Sequence, residues 1–458
     1  MARRADWPTL SSGTERAPHF AALNNVRAAL EWCFSAKGNS EAGVGLAAAA
    51  TPVFLAMSLL PECHRWAQRA LLALDDTIRG GSEEMHLQAG LGISSMYTMG
   101  SSDQSHAALT RGLELAEKFR DPVEQFRLIS ELHSFYRRAG NFDRMLAVAQ
   151  RGDAVAKEIA DPIGALAAHS MLGLSYHLIG NQIDARAHLE AALAPAFHVA
   201  AARRFGFHYE RARINLARTL WLLGCPEQAL QIVRKTVDGF AALEPVIIPI
   251  ALLWGGCVFR WCGDLASAQE CIDRLILEAE RHDLAPFQAI GYGLKGQVLI
   301  QQGEIETGME LLRGSVATLS VERYGLYSTE LNGWLAQGFA LMNRLDQALL
   351  TIDGTIAQLR QHGGLFMPEL QRIRGEILEK TADERGAEQA FRRSIELAEQ
   401  QSALSWRLRA STSLARLQSR QGHCEQAREV LSETYARFSE GFDTADLKAA
   451  ERLLAILS

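Results

Sequence analysis

Leu172-Gly173-Leu174-Ser175-Tyr176-His177-Leu178-Ile179-Gly180-Asn181-Gln182-Ile183-Asp184-Ala185, continued by Leu189 and Ala192, lies in the first half of a 458-residue chain. A large apolar residue, a small one and an aromatic precede a Gly-Asn pair. Beyond that pair come a small, a large apolar and another small residue. Such spacing gives each of two helices one apolar stripe and joins them by a tight turn. The small residues at Gly173 and Ala185 let the two helix backbones approach closely, and a glycine at the turn tolerates the left-handed conformation that ends the first helix.

The same pattern returns at Leu132, Tyr136 and Gly140-Asn141, at Leu216-Ala217 and Gly224, and at Gly256, Phe259 and Gly263-Asp264. Further copies turn at Gly303-Glu304, Asn343 and Gly422. From 140 to 180, 224, 263, 303 and 343 the steps are 40, 44, 39, 40 and 40 residues. A tetratricopeptide unit is about 34 residues, and HEAT-type units run near 40. The small residue ahead of the aromatic and the Gly-(Asn/Asp) turn favour the tetratricopeptide assignment, with each helix lengthened by about a turn. The expected fold is all-α: a right-handed α-α superhelix, a tetratricopeptide-like solenoid with a period of about 40 residues. One unit cannot bury its own apolar face, so neighbours stack into a continuous core.

Working outward, an opening helix is expected at about 20–36, and helix pairs near 41/62, 83/103, 122/143, 162/183, 204/226, 245/265, 285/305, 325/345, 365/384 and 403/424. Residues 1–19 are read as an N-terminal extension, 20–443 as the array of about ten helix pairs, and 444–458 as a C-terminal capping helix. With 12 prolines and 48% hydrophobic residues, the composition fits a mostly helical chain that can bury a core. Several prolines open helices, as in Asp121-Pro122 and Asp161-Pro162, where Asp caps and Pro takes the first helical position. Ala42 to Pro61 carries no charge over twenty residues, but it is rich in Ala and Gly and bracketed by Glu41 and Glu62. We read it as a buried helix of a protein in the cytoplasm, without a membrane span.

The net charge of −6 argues against a surface built for direct contact with nucleic acid. Seven scattered cysteines with no CxxC pair read as reduced core thiols, with no metal site. Cys257 and Cys262, five apart, do not share a helix face. Gly291-Tyr292-Gly293-Leu294-Lys295-Gly296 matches a dinucleotide fingerprint only as letters, because it falls inside the first helix of a repeat where the motif needs a strand before it. No cofactor and no catalytic activity are expected.

What the pattern offers is a binding surface. Aligned on the turn, groove-facing positions on the first helices include Arg127, Ser130, Ser134 and Arg137, then Ser170 and His177, then Arg211, Arg218 and Trp221, then Arg260. Arginines could clamp carboxylates or phosphates bidentately, and Trp221 could stack on a ring or cation. Equally, the arginines could pair with neighbouring acids such as Glu210 on a solvated face. The expected occupant is a protein or peptide partner, or a small effector, anionic ones included.

Both ends carry a more specific likeness. Leu23-Asn24-Asn25-Val26-Arg27-Ala28-Ala29-Leu30-Glu31-Trp32-Cys33-Phe34, followed by Leu59-Leu60-Pro61-Glu62-Cys63, resembles the segment after the ATPase core in large bacterial winged-helix signal-transduction regulators of the STAND type. The closing run Glu440-Gly441-Phe442-Asp443-Thr444-Ala445-Asp446-Leu447 resembles the repeat arrays of those regulators and of adenylate-cyclase-like multidomain ATPases. The resemblance implies a sensor region that controls ATPase and DNA-binding domains in a longer parent protein. Neither domain's motifs occur in this chain, so their chemistry attaches to none of its residues. The alternative is a free-standing scaffold that joins proteins.

Overall fold

The computed structural model describes residues 13–457 apart from 58, 195–208, 240–247, 282–283, 322 and 360–363, with side chains from residue 23 onward. Among the described residues there are 22 helices and no strand. They fall into two compact units, Met1–Met171 with Ala194–His208, and Leu172–Leu193 with Tyr209–Ser458.

The first unit holds α1 (Gly13–Cys33), α2 (Ser40–Ala56), α3 (Leu60–Leu72), α4 (Ser82–Thr98), α5 (Asp103–Lys118), α6 (Pro122–Ala139), α7 (Phe142–Ile159) and the start of α8 (Pro162–Ile179). The opening helix starts earlier than the sequence suggests, at Gly13. Leu30, Val44, Phe54, Trp66 and Leu87 form the core of its first helices. The uncharged stretch is divided, most of it in α2, which buries apolar surface there, and its last residues Leu60 and Pro61 in α3; no helix among the described residues is long and apolar enough to cross a membrane. A two-pronged ion pair from Arg27 to Glu62, both arms 2.7 Å, ties α1 to α3.

The α6–α7 pair shows how the sequence specifies a unit. Asp121 accepts from the backbone N–H groups of Val123 and Glu124, each at 3.1 Å, while Pro122 opens α6. Gly140 ends the helix with φ 76°, and the next N–H returns to the Tyr136 carbonyl at 2.9 Å. Asn141 then caps α7 through the Arg144 N–H. The turn glycines 140, 180, 224, 263, 303 and 422 all take positive φ, and Asn343 takes φ 58° at the matching place. At Gly173 the constraint is closeness: a Cβ there would lie 2.6 Å from Leu189 Cγ.

The second unit continues with α9 (Gln182–Leu193), α10 (Tyr209–Leu222), α11 (Pro226–Asp238), α12 (Ile248–Cys262), α13 (Leu265–Arg281), α14 (Ala285–Gln301), α15 (Ile305–Val321), α16 (Gly325–Leu341), α17 (Leu345–Leu359), α18 (Met367–Lys380), α19 (Glu384–Gln400), α20 (Leu404–Arg420), α21 (Cys424–Tyr435) and α22 (Ala445–Ile456). The expected starts at 204 and 245 lie outside the described residues. Elsewhere the helices begin within a few residues of their expected places.

This unit closes on itself. The Leu365 N–H donates to the Leu178 carbonyl at 2.9 Å, and Ser405 Oγ donates to the Trp221 carbonyl. Helix α20, which meets α10, buries 13 of its 17 residues, so most of its surface is covered. The closing run seen in the sequence makes the joint. Glu440 accepts from the backbone N–H groups of Glu227 and Gln228 at 2.9 and 3.1 Å, capping α11 across 213 and 212 residues of chain. Gly441 has φ 80°, and its N–H donates to Glu227 Oε1 at 2.8 Å; a Cβ there would strike Pro226 at 2.1 Å. Thr444 bonds back to the Gly441 carbonyl and precedes α22, and Leu447 is buried in the terminal core.

Candidate ligand-binding site

The closure gathers aromatic residues that are far apart in sequence. Trp221 of α10, Trp261 of α12 and Trp406 of α20 pack mutually, with ring centroids 4.6, 4.9 and 5.6 Å apart. All three are buried. Edge-to-face and tilted pairs of this kind contribute about 0.5–1.5 kcal/mol each beyond their burial.

Arginines lie against this cluster. Arg409 sits 5.1 and 5.0 Å from the rings of Trp221 and Trp406, and donates to Asp446 Oδ2 at 2.7 Å and to the Trp261 carbonyl at 3.2 Å. Arg218 stacks 4.0 Å over Trp254, and its Nε and Nη1 have no hydrogen-bond partner among the described residues. Burial lowers its pKa, and the indole face takes the place of an acid. Arg260 pairs with Glu330 and lies 5.5 Å over Trp334 of α16. Burial disfavours its charge, but the Glu330 carboxylate outweighs that and raises its pKa.

On α18, Arg372 grips Glu369 with two bonds of 2.8 Å and also pairs with Glu376. Burial alone would raise the Glu369 carboxyl. The guanidinium groups of Arg372, Arg409 and Arg260 more than offset it and hold the carboxyl below its usual range. These groups surround a pocket of about 240 Å³, lined by Arg260, Arg372, Arg409 and Arg416 against Glu369 and Asp446, with Trp261, Trp334, Gln301, Thr412 and Ser413 completing the wall. Arg260 is matched by Glu330, Arg372 by Glu369 and Glu376, and Arg409 by Asp446, which leaves Arg416 as the guanidinium of the lining with no carboxylate partner among the described residues. Arg416 is exposed at its rim.

The residues expected in the groove divide between the units. In the first, Arg127 is half-buried, donates to Glu124 of its own helix at 2.8 Å, and lines a cleft of about 30 Å³ with Thr51, His86 and Glu131. Ser130 bonds to the Phe126 carbonyl at 3.0 Å, and Arg137 is buried. In the second, His177 is fully buried, with Nδ1 2.9 Å from Thr219 Oγ1 and 3.0 Å from Gln182 Oε1. Burial and the charge of Arg218 push its pKa well down, so it is a neutral core histidine. Arg211 is half-buried on α10. Arg218, Trp221 and Arg260 are brought together, but as buried members of the cluster; only Arg260 reaches the pocket lining.

Arg409, Arg416, Glu369, Arg372, Trp334 and Asp446 are not among the expected residues, although the register contains a signal for two of them. Counting back from the turn glycine, 422 − 409 = 13 matches 140 − 127 and 224 − 211, and 422 − 416 = 6 matches 224 − 218. Glu330 and Glu369 stand thirteen before Asn343 and Ala382, the latter a left-handed turn residue with φ 62° that no glycine marks. Cys262 and Cys271 are free thiols that burial pushes up to about 12. Among the described residues no cluster of His, Cys, Asp and Glu could hold a metal. The glycines of the fingerprint lookalike lie inside α14.

No protein-family model matches the chain, and no curated protein matches it in sequence. Among solved structures it is similar to the APC/C hetero-tetramer Cut9–Hcn1, at 14% identity over 97% of this chain and 82% of that one, with a TM-score of 0.52. It also aligns with a tetratricopeptide repeat protein from Parabacteroides merdae, at 14% identity, 66% and 99% coverage and a TM-score of 0.35. A STAND protein with a tetratricopeptide repeat sensor from Pyrococcus horikoshii aligns at 12% identity, 78% and 55% coverage and a TM-score of 0.37. The Cut9–Hcn1 likeness is one of fold alone: a tetratricopeptide-type array of helix pairs.

Proposed function

We propose that the chain is a sensing and interaction array that binds an effector in the pocket of its second unit and transforms nothing there. The observation that carries this is the convergence of four arginines on one pocket, held by tryptophans and carboxylates from α12, α16, α18, α20 and α22. Arginine keeps its proton at any physiological pH, and Glu369 is held ionised, so the paired groups are fixed in place and the unmatched Arg416 is the one that supplies the charge for an anion. The resemblance at the two ends supports placing this array in a bacterial signal-transduction transcriptional regulator, where effector binding would be passed to ATPase and DNA-binding domains. Thermal denaturation with a panel of anionic metabolites tests the proposal: a stabilising ligand whose shift is lost in Arg416→Ala is expected. A shift that Arg416→Ala leaves intact would remove the pocket from the account.

A second function, a scaffold that joins proteins, draws on the exposed apolar side chains Trp32, Leu72, Met99 and Phe119 of the first unit. It predicts a stoichiometric protein partner whose capture is unaffected by Arg416→Ala.

A further inference from the structure

The arginine pocket does not end at its charged walls. Gln301 and Trp334 also line a second chamber of about 200 Å³, whose remaining surface is mostly Ile300, Ala340, Leu341 and Ile377. Trp334, half-buried, carries the Arg260 guanidinium over its ring and so stands where the cationic and apolar chambers meet. The charges at that border are already engaged. Glu376 accepts from Arg372, from Ser413 at 3.4 Å and from Gln337 at 3.2 Å, and Lys380 Nζ donates to the Ala340 carbonyl at 3.3 Å. Leu341 remains 50% exposed on the wall of the second chamber.

We infer that the ligand is a small amphipathic anion: a carboxylate or phosphate head among Arg260, Arg409 and Arg416, with an apolar body passing Trp334 to cover Leu341 and Ile377. This rests on the effector-binding proposal and adds the ligand's class. The head follows from Arg416, which opens on the pocket with no carboxylate partner among the described residues, beside the guanidinium groups of Arg260 and Arg409. The body follows from an apolar chamber that adjoins those charges and leaves a leucine in water. Chambers of about 240 and 200 Å³ together reach the scale of small-ligand sites, roughly 300–1,000 Å³.

The test is calorimetric titration of the full chain with octanoate, octyl phosphate, acetate, inorganic phosphate and octan-1-ol. Each methylene taken fully from water is worth roughly fourfold in affinity. Octanoate or octyl phosphate is expected to bind at least about tenfold more tightly than acetate, phosphate or octan-1-ol. Arg416→Ala should weaken the two amphipathic anions and leave octan-1-ol unchanged. Leu341→Glu should bring octanoate down to the level of acetate while inorganic phosphate binding persists. Both positions are exposed, and an unchanged far-ultraviolet circular dichroism spectrum and melting temperature confirm that the fold is kept. If acetate matches octanoate and Leu341→Glu changes nothing, the amphipathic class is wrong while the anion site stands. If no anion binds, both proposals fall. If an acidic peptide binds where octanoate and octyl phosphate do not, the ligand is a peptide and the inference is overturned.

Discussion

Arg127 and Arg409 stand at the same place in their repeats, thirteen residues before the turn, and live in different surroundings. Arg127 leans on Glu124 of its own helix, beside a cleft of about 30 Å³. Arg409 rests against Trp221 and Trp406, is held by Asp446 and the Trp261 carbonyl, and opens on about 240 Å³. The repeat fixes which helix face a residue occupies. Whether that face becomes a site depends on what the chain brings against it. In the second unit that partner surface comes from closure, with α20 packed against α10 and Glu440 capping α11.

Breaking the cluster should have the largest effect. Trp406→Ala removes a buried indole from contact with two others and should cost about 3–5 kcal/mol, read as a lower denaturant midpoint. Hydrogen exchange should show α10, α12 and α20 losing protection while the core of α2–α4 keeps it. Equal loss in both units would mean that the closed cluster is not the second unit's own keystone.

Closing the joint badly should come next. Gly441→Ala must place a methyl against Pro226 at a positive φ, for a cost of about 1–3 kcal/mol. Accelerated exchange at the first turn of α11, where Glu440 accepts two N–H bonds, would locate the damage. Unchanged exchange there would show that the loop does not seal the unit.

A third effect depends on pH. Glu369 has a folded pKa below its unfolded value, so it contributes stability that is fully present above the ordinary glutamate range, near about 4.3, and is lost as pH falls through the lower folded value. Glu369→Gln should flatten the acid limb of second-unit stability over that window. An acid limb of unchanged slope would mean that Glu369 titrates as an ordinary surface carboxylate. The smallest effect is expected at Arg127→Ala, whose partner is a neighbour on the same helix: stability should change by less than about 0.5 kcal/mol.

The helix pairs were legible because each carries its own local signals. Asp121-Pro122 starts a helix, Gly140-Asn141 stops one and caps the next, and Gly173 marks a close crossing. The site was legible only in part. The turn register finds Arg218, Trp221 and Arg260, and it would also have found Arg409 and Arg416 if followed to Gly422. It could not show that Arg218 and Trp221 are buried, because their cover arrives from α12 and α20, up to 185 residues later in the chain (406 − 221). Nor could it reach Glu369 and Arg372, since Ala382 takes a left-handed turn without a glycine to announce it. Local chemistry writes itself in spacing, whereas closure is a long-range event of which the sequence shows only the ends.

The most direct measurement is the octanoate affinity of Arg416→Ala set beside that of Arg127→Ala. If closure makes the site, Arg416→Ala weakens octanoate at least about tenfold and Arg127→Ala leaves it unchanged. Equal losses at both positions, or a loss confined to Arg127→Ala, would contradict the account.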